Sequence, residues 1–153
     1  MSENFRYKYG DTNPVVTKAV QSAIVIELGD LVGQDDSGDV YPASHATWYG
    51  TEANFQTGFL GVAMQRSRTG DVEPIRVATS GVFQFDCDSA SFELGDLVSP
   101  KDGGSALEDQ TVAAAPSGEG TAIGRVAKRT SSETTVLVEI VSTIMVGGVQ
   151  AQA

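Results

Sequence analysis

The sequence has few of the residues on which enzyme chemistry and covalent stabilisation commonly depend. Its 153 residues include one cysteine, Cys87, and one histidine, His45. A single cysteine excludes an intrachain disulfide, and its neighbours Asp86 and Asp88 should raise the pKa of the thiol, which makes Cys87 a poor nucleophile. Ser44 beside His45 is a weak nucleophile–base candidate, because neighbouring residues on a strand point to opposite faces. We therefore expect no catalytic residues, no enzymatic activity and no cofactor.

Basic residues are also scarce. Ten Lys and Arg stand against twenty Asp and Glu, which gives a net charge of −10 and a pI of about 4.3, and no Lys or Arg occurs in residues 19–65. This balance argues against nucleic acid and against an anionic membrane surface as partners. The chain also lacks an apolar run of membrane-spanning length, and its first residues do not resemble a secretory signal. We expect a protein made in the cytosol.

One hexapeptide, by contrast, is present twice. Residues 27–32 and residues 93–98 both read Glu-Leu-Gly-Asp-Leu-Val. Glycine tolerates positive φ and aspartate bonds to nearby backbone amides, so each Gly-Asp pair predicts a chain reversal that leads into a strand. Seventeen glycines and few helical patterns favour an all-β protein.

Further correspondences accompany the hexapeptide. Gly61 and Gly124 each lie in an apolar run, and each run leads to a basic residue, a polar turn and another strand-like segment. We predict an all-β fold, a small β-barrel or sandwich over residues 21–143, built from two similar β motifs at 22–86 and 91–143. Residues 1–20 are predicted as an extended N-terminal arm and residues 144–153 as a C-terminal tail. Convergent turn chemistry is the alternative explanation of the repeats.

The predicted arm combines aromatic and basic residues on an acidic chain. Phe5, Arg6, Tyr7, Lys8 and Tyr9 follow one another directly. Tyr and Arg are typical anchors of protein interfaces, so these five residues are candidates for partner binding. The alternative is a first strand or loop that lies on its own barrel.

Residues 44–58 have no counterpart in the second half of the chain. They carry Trp48, Tyr49 and Phe55, and Glu52 opens a segment that favours a helical turn. Excursions of this length from a β scaffold commonly form functional loops or contacts between subunits. Trp48, Tyr49 and Phe55 are therefore candidate contact residues.

The acidic segment 35–39, Asp-Asp-Ser-Gly-Asp, permits three interpretations. Its carboxylates are suitable calcium ligands, but their spacing is not that of the twelve-residue calcium loop, and no closing Glu follows. Asp36-Ser37-Gly38 resembles half of an aspartic-protease dyad, but the second half of the chain offers only Asp102-Gly103-Gly104. A hairpin turn is the simplest interpretation, and we predict no metal site here.

Taken in order, several short motifs resemble the capsid decoration, or cement, proteins of tailed bacteriophages. Each motif is an apolar segment around a glycine or a Gly-Asp turn, and their order over residues 20–141 gives the resemblance its specificity. They are Phe59-Leu60-Gly61-Val62-Ala63, Gly70-Asp71, Ile75-Arg76-Val77, Gly81-Val82-Phe83, Gly95-Asp96-Leu97-Val98 and Ile123-Gly124-Arg125-Val126-Ala127.

The resemblance implies a small β-barrel-like fold and a structural protein of the virion. It implies homotrimers that bind the major capsid protein on the outer surface of the expanded capsid and stabilise it against the pressure of packaged DNA. Such a protein would be made in the host cytoplasm. The alternative is a glycan- or receptor-binding module of the virion surface, with Trp48, Tyr49 and Phe55 as an exposed aromatic platform.

Overall fold

The protein is almost entirely β-structure. A computed structural model describes residues 7–116 and 120–148. The all-β prediction is confirmed. The strands are β1 (Tyr7–Tyr9), β2 (Val15–Val16), β3 (Leu31–Gln34), β4 (Val40–Pro42), β5 (Phe59–Ala63), β6 (Arg76–Ala78), β7 (Val82–Phe92), β8 (Leu97–Asp102), β9 (Leu107–Ala114), β10 (Gly124–Val126) and β11 (Thr130–Ile140).

The strands form two sheets with the same internal order. The first sheet is β2-β6-β5-β3-β4, and the second is β7-β11-β10-β8-β9 with β1 added beside β7. A parallel pairing of Asp86 in β7 with Thr111 in β9 closes the second sheet into a five-stranded barrel. β7 spans the end of the first predicted motif and the start of the second, so one strand joins the two halves.

The repeated hexapeptide makes the same turn in both sheets. The Glu27 N–H donates to Asp30 Oδ2 at 2.9 Å, and the Glu93 N–H donates to Asp96 Oδ2 at 2.8 Å. The glycine at the third position has a φ of 92° in the first turn and 88° in the second, as type II turns require. Each turn leads directly into a strand, β3 or β8, so the prediction of a chain reversal that feeds a strand is confirmed.

Two glycines permit close approach of neighbouring strands at matching places in the two sheets. A Cβ on Gly61 would collide with the carbonyl oxygen of Ala78, and one on Gly124 would collide with that of Glu139. Both glycines pair with the strand that follows the turn, Gly61 with Val32 and Gly124 with Val98. Because a backbone oxygen cannot move aside, both positions need a residue without a side chain.

The helical segments are short. Ala46–Trp48 forms a 3₁₀ turn, α1 covers Glu52–Thr57 and α2 covers Thr143–Val146. Thr51 caps α1 by accepting the Asn54 N–H, and the predicted helical turn at Glu52 is confirmed. Within the described ranges, no helix has the length and apolar character needed to cross a membrane.

Buried apolar side chains of both sheets form one continuous core. Phe55, Phe59 and Phe83 are among its largest fully buried members. Phe59 lies on β5 of the first sheet and Phe83 on β7 of the second, so the core spans the junction of the two sheets.

A buried polar network crosses the same junction. Gln110 Nε2 on β9 donates to Asp30 Oδ1 at 2.9 Å and to the Leu28 carbonyl at 3.1 Å. Beside it, the Asp109 carboxylate accepts from the Ser44 N–H at 2.8 Å and from Ser44 Oγ at 2.9 Å. Burial, with the nearby charge of Asp109, raises the pKa of Asp30 to about 6. Burial likewise raises the pKa of Asp109.

Candidate partner-binding surface

The described part of the predicted arm lies on the body of the protein. β1 pairs with β7, with Tyr7 opposite Phe83, and the two rings make an edge-to-face contact at 5.7 Å. The Tyr7 hydroxyl donates to the Gly10 carbonyl at 2.6 Å. Lys8 and Tyr9 on the same strand are exposed. β1 therefore follows the alternative of a first strand on its own barrel, while keeping side chains open to a partner.

Residues 10–20 are also attached to the body through β2, which pairs with β6 in the first sheet. Phe5 and Arg6, the other two candidate arm residues, lie outside the described residues. The structure thus places three of the five candidates, and their predicted role in partner binding stays a prediction.

A groove of about 500 Å³ runs beside Lys8 on the outer face of β7 and β11. Its floor includes Gln84 and Leu137, which face each other across the two strands. Lys8 borders it on one side, and the segment Lys128–Ser131, at the turn between β10 and β11, borders it on the other. We call this cavity the basic groove.

A second depression of about 330 Å³ is lined in part by residues that lie on the same strands as those of the basic groove. It is lined by Tyr9, the next residue after Lys8, together with Leu94, Arg125 and Glu139. Leu94 is 72% exposed and Tyr9 is 53% exposed, so both side chains are open to a partner. Arg125 Nη1 donates to the Gly95 carbonyl at 3.1 Å, which fixes the guanidinium beside this apolar pair.

We call selected residues that line the two cavities the arm face. It consists of Lys8, Tyr9, Leu94, Arg125, Lys128 and Arg129.

The arm face carries four of the ten basic residues of an otherwise acidic protein. It also has carboxylates of its own. Arg129 Nε is paired with the Glu93 carboxylate at 3.0 Å, and Glu133 and Glu139 lie at the borders of the cavities. Among the described residues, neither Lys8 nor Lys128 has a carboxylate oxygen in ion-pair range. These two ammonium groups are therefore available to an acidic partner.

The sequence did not identify Leu94, Arg125, Lys128 or Arg129 as site residues. They lie far from the arm in the chain and reach it only because β11 pairs with β7 and β10 pairs with β11. A local signal was present in the adjacent cations Lys128 and Arg129 on a turn of an acidic protein. Their proximity to Lys8 required knowledge of the strand pairing.

The aromatic residues of the 44–58 segment do not form the platform considered above. Phe55 is 0% exposed and Trp48 is 5% exposed, and their rings meet edge to face at 5.4 Å in the core. Trp48 Nε1 donates to the Pro42 carbonyl at 3.1 Å, so even its polar group is satisfied internally. Tyr49 alone is open, at 82% exposure. The prediction of an exposed aromatic platform is therefore wrong, because two of its three residues are buried in the core.

The other reactive residues have structural partners. Ser44 Oγ donates to Asp109, whereas His45 Nδ1 accepts the Thr47 N–H at 3.1 Å and the His45 ring stacks on Tyr41 at 4.3 Å. Ser44 and His45 thus have separate partners and do not form a nucleophile–base pair.

Cys87 on β7 is buried among carboxylates. Burial, and then the charges of Asp86, Asp88 and Glu133, raise the pKa of the Cys87 thiol. The expectation of a raised pKa is confirmed, and the thiolate form needed for nucleophilic attack is disfavoured.

The acidic segment 35–39 forms a hairpin turn between β3 and β4. Asp35 Oδ1 accepts the N–H groups of Ser37 at 3.0 Å and Asp39 at 2.9 Å, so this carboxylate closes the turn. Asp39 in turn pairs with Lys18 Nζ at 3.2 Å. The hairpin interpretation is confirmed by these contacts.

Comparison with known proteins gives a distant likeness to solved structures. No model of a known protein family matches the chain, and no curated protein matches it. A solved structure, head fiber gp8.5 N base in bacteriophage phi29, is similar over 83% of this chain and 92% of that chain, with 18% identity and a TM-score of 0.43. Both values are too low for the likeness to assign a function.

Proposed function

We propose that this protein is a capsid decoration protein of a tailed bacteriophage. In this role it binds the major capsid protein on the outer surface of the expanded capsid as a homotrimer, and it stabilises the shell against the pressure of packaged DNA. The ordered motifs that resemble the cement proteins support this assignment, and the fold accounts for them. The shared Gly-Asp turns lead into strands, and Gly61 and Gly124 lie where paired neighbouring strands approach closely.

The observation that carries the proposal is the arm face. The arm face combines the exposed side chains of Tyr9 and Leu94 with Lys8 and Lys128, which have no ion-pair partner among the described residues, on a molecule with a net charge of −10. Interfaces are enriched in Tyr and Arg, and exposed apolar clusters of this kind commonly mark protein contacts. Like charges repel the remaining acidic surface from an acidic partner, so the arm face is the surface that such a partner would approach.

The proposed stabilisation of the capsid follows from thermodynamic linkage between binding of this protein and expansion of the capsid. A ligand that binds only the expanded arrangement of capsid subunits lowers the free energy of that arrangement and of no other. A trimer presents three arm faces, so after the first contact the second and third become effectively intramolecular. Weak individual contacts then give tight attachment, and each bridge opposes separation of neighbouring subunits.

Co-sedimentation with empty expanded capsids tests the role of the arm face. Removal of residues 2–12 takes away Lys8 and Tyr9, and we expect the affinity for capsids to fall at least tenfold. Because that deletion also removes β1 from its pairing with β7, the double variant Tyr9→Ser/Leu94→Ser provides a folded test of the same surface. It should show a similar loss.

Val72→Ser is the matched control, since Val72 is an exposed apolar residue that lies outside the arm face. It should bind capsids with the affinity of the unaltered protein. Unchanged binding of the deletion and of the Tyr9→Ser/Leu94→Ser variant would exclude the arm face as the attachment surface.

A further inference from the structure

We infer that the basic groove binds an extended acidic segment of the capsid subunit. The inference rests on the proposed function and adds the chemistry of the contact. The groove holds about 500 Å³, a volume typical of sites that bind a few residues or a small molecule. Most of its lining residues follow one another along β11, from Thr130 to Leu137, beside Gln84 on the paired strand β7, and this course suits an extended chain.

The charges around the groove determine the sign of its partner. Lys8 and Lys128 border opposite sides, and neither is paired with a described carboxylate. Arg129 contributes less, because Glu93 already neutralises it at 3.0 Å. Two unpaired ammonium groups across a groove favour carboxylates spaced along one segment, with each ion pair strengthened by partial exclusion of water.

The floor of the groove determines what lies between those carboxylates. Leu137 is half-buried there and offers an apolar surface, while Gln84 and Thr135 offer hydrogen-bonding groups on either side of it. Successive side chains of an extended segment point in opposite directions. A segment that alternates acidic and apolar residues can therefore direct one set of side chains to Leu137 and keep its carboxylates at the basic border.

Glu133 limits the orientation of such a segment. It lies at one border of the groove, and it is exposed. A carboxylate of the ligand placed beside it would be repelled, so the acidic residues belong at the part of the groove bordered by Lys8 and Lys128. Removal of this repulsion by Glu133→Gln should increase the affinity for an acidic segment.

Fluorescence anisotropy with the full chain tests the inference. The probe is a labelled peptide of five Glu-Val repeats, and the comparison peptide has five Gln-Val repeats. We expect the acidic peptide to bind at least tenfold more tightly than the neutral one, and this preference should fall as salt is added. Lys8→Glu/Lys128→Glu should weaken binding of the acidic peptide at least tenfold, and Glu133→Gln should strengthen it.

Arg76→Glu is the control for a charge reversal outside the groove, because Arg76 is exposed on β6 and does not line the groove. It should leave peptide affinity within twofold, and thermal unfolding should show that every variant is folded. Equal binding of both peptides would overturn the inference, as would an unchanged affinity in the folded Lys8→Glu/Lys128→Glu variant.

Two further measurements separate this inference from the proposed function. Failure of the peptide to bind a protein that still decorates capsids would overturn the groove inference alone. Peptide binding by a protein that ignores expanded capsids would overturn the proposed function and, with it, the capsid subunit as the source of the segment. Light scattering tests the alternative that the groove is occupied by a second copy of this protein. If Lys8→Glu/Lys128→Glu dissociates an oligomer and does not weaken peptide binding, the inference is also overturned.

Discussion

The side-chain amide of Gln110 donates to the buried carboxylate of Asp30 at 2.9 Å, across the junction between the two sheets. Asp30 is 1% exposed, whereas Asp96, at the same place in the second Gly-Asp turn, is exposed. The two turns therefore share one local geometry but differ in their surroundings. In the first turn, the Asp30 carboxylate serves both the turn and the contact between the sheets.

The buried carboxylate makes stability depend on pH. The folded-state pKa of Asp30 is about 6, above its ordinary value of 3.8, so between these values the folded protein holds a proton that the unfolded chain has released. The contribution of Asp30 to the free energy of unfolding therefore falls as pH rises from 4 to 6. The change is about 3 kcal/mol for a shift of about two units.

Urea unfolding at pH 4, 5, 6 and 7 measures this contribution. Asp30→Asn removes the titrating group, so the stability of the natural protein relative to this variant should decline over that range. Asp96→Asn alters the matching exposed residue and should preserve the pH dependence of the natural protein. A stability difference between the natural protein and Asp30→Asn that is constant with pH would contradict the assignment.

Loss of the Gln110 amide should be most harmful when Asp30 is charged. Gln110→Ala removes the hydrogen bonds to the Asp30 carboxylate and to the Leu28 carbonyl. We expect a loss of about 3 kcal/mol at pH 7, and a smaller loss at pH 4, where Asp30 is neutral. Gln21→Ala is the control, since the hydrogen bond of Gln21 to Asp39 is exposed and should contribute under about 1 kcal/mol.

A single methyl group added at Gly61 or at Gly124, where paired strands approach closely, should destabilise the fold. In Gly61→Ala the new Cβ meets the Ala78 carbonyl oxygen, and in Gly124→Ala it meets that of Glu139. Each change should cost about 3 kcal/mol, because the backbone must move to relieve the collision. Gly120→Ala, where an added Cβ would meet no atom of the described residues within 4 Å apart from its chain neighbours, should change the midpoint of thermal unfolding little. Similar midpoints of thermal unfolding for all three variants would refute the close approach of the strands at Gly61 and Gly124.

Substitutions in the segment 44–58 should destabilise the fold at its buried residues and have little effect at its exposed ones. Phe55→Ala removes a fully buried ring that contacts Trp48 and Phe59, and it should cost about 4 kcal/mol. Tyr49→Ala alters an exposed side chain and should stay within about 0.5 kcal/mol of the natural protein. Denaturant unfolding distinguishes the two directly. Equal effects would contradict the burial of Phe55.

The sequence predicted features that depend on local chemistry. A glycine followed by aspartate specifies the turns at residues 27–30 and 93–96, and the segment that begins at Glu52 forms the predicted helical turn. It did not predict the burial of Trp48 and Phe55, because aromatic side chains in an unmatched segment suit a core as well as a contact surface.

The site residues missed from the sequence depend on long-range pairing. Lys128 approaches Lys8 through the register of β11 on β7, and the barrel closes through one pairing of Asp86 with Thr111. Neither contact leaves a periodic or compositional trace within a short window of sequence. The burial of Asp30 has the same origin, since its hexapeptide is identical to the one that leaves Asp96 exposed.

Binding to capsids before and after expansion tests the central claim most directly. Purified protein is mixed with empty expanded capsids of its own phage and, separately, with unexpanded shells, and the bound protein is measured after sedimentation. The account predicts saturable binding to expanded capsids, little binding to unexpanded shells, and a higher temperature of capsid disruption when the protein is bound. Absence of binding to expanded capsids, or binding that leaves their disruption temperature unchanged, would contradict it.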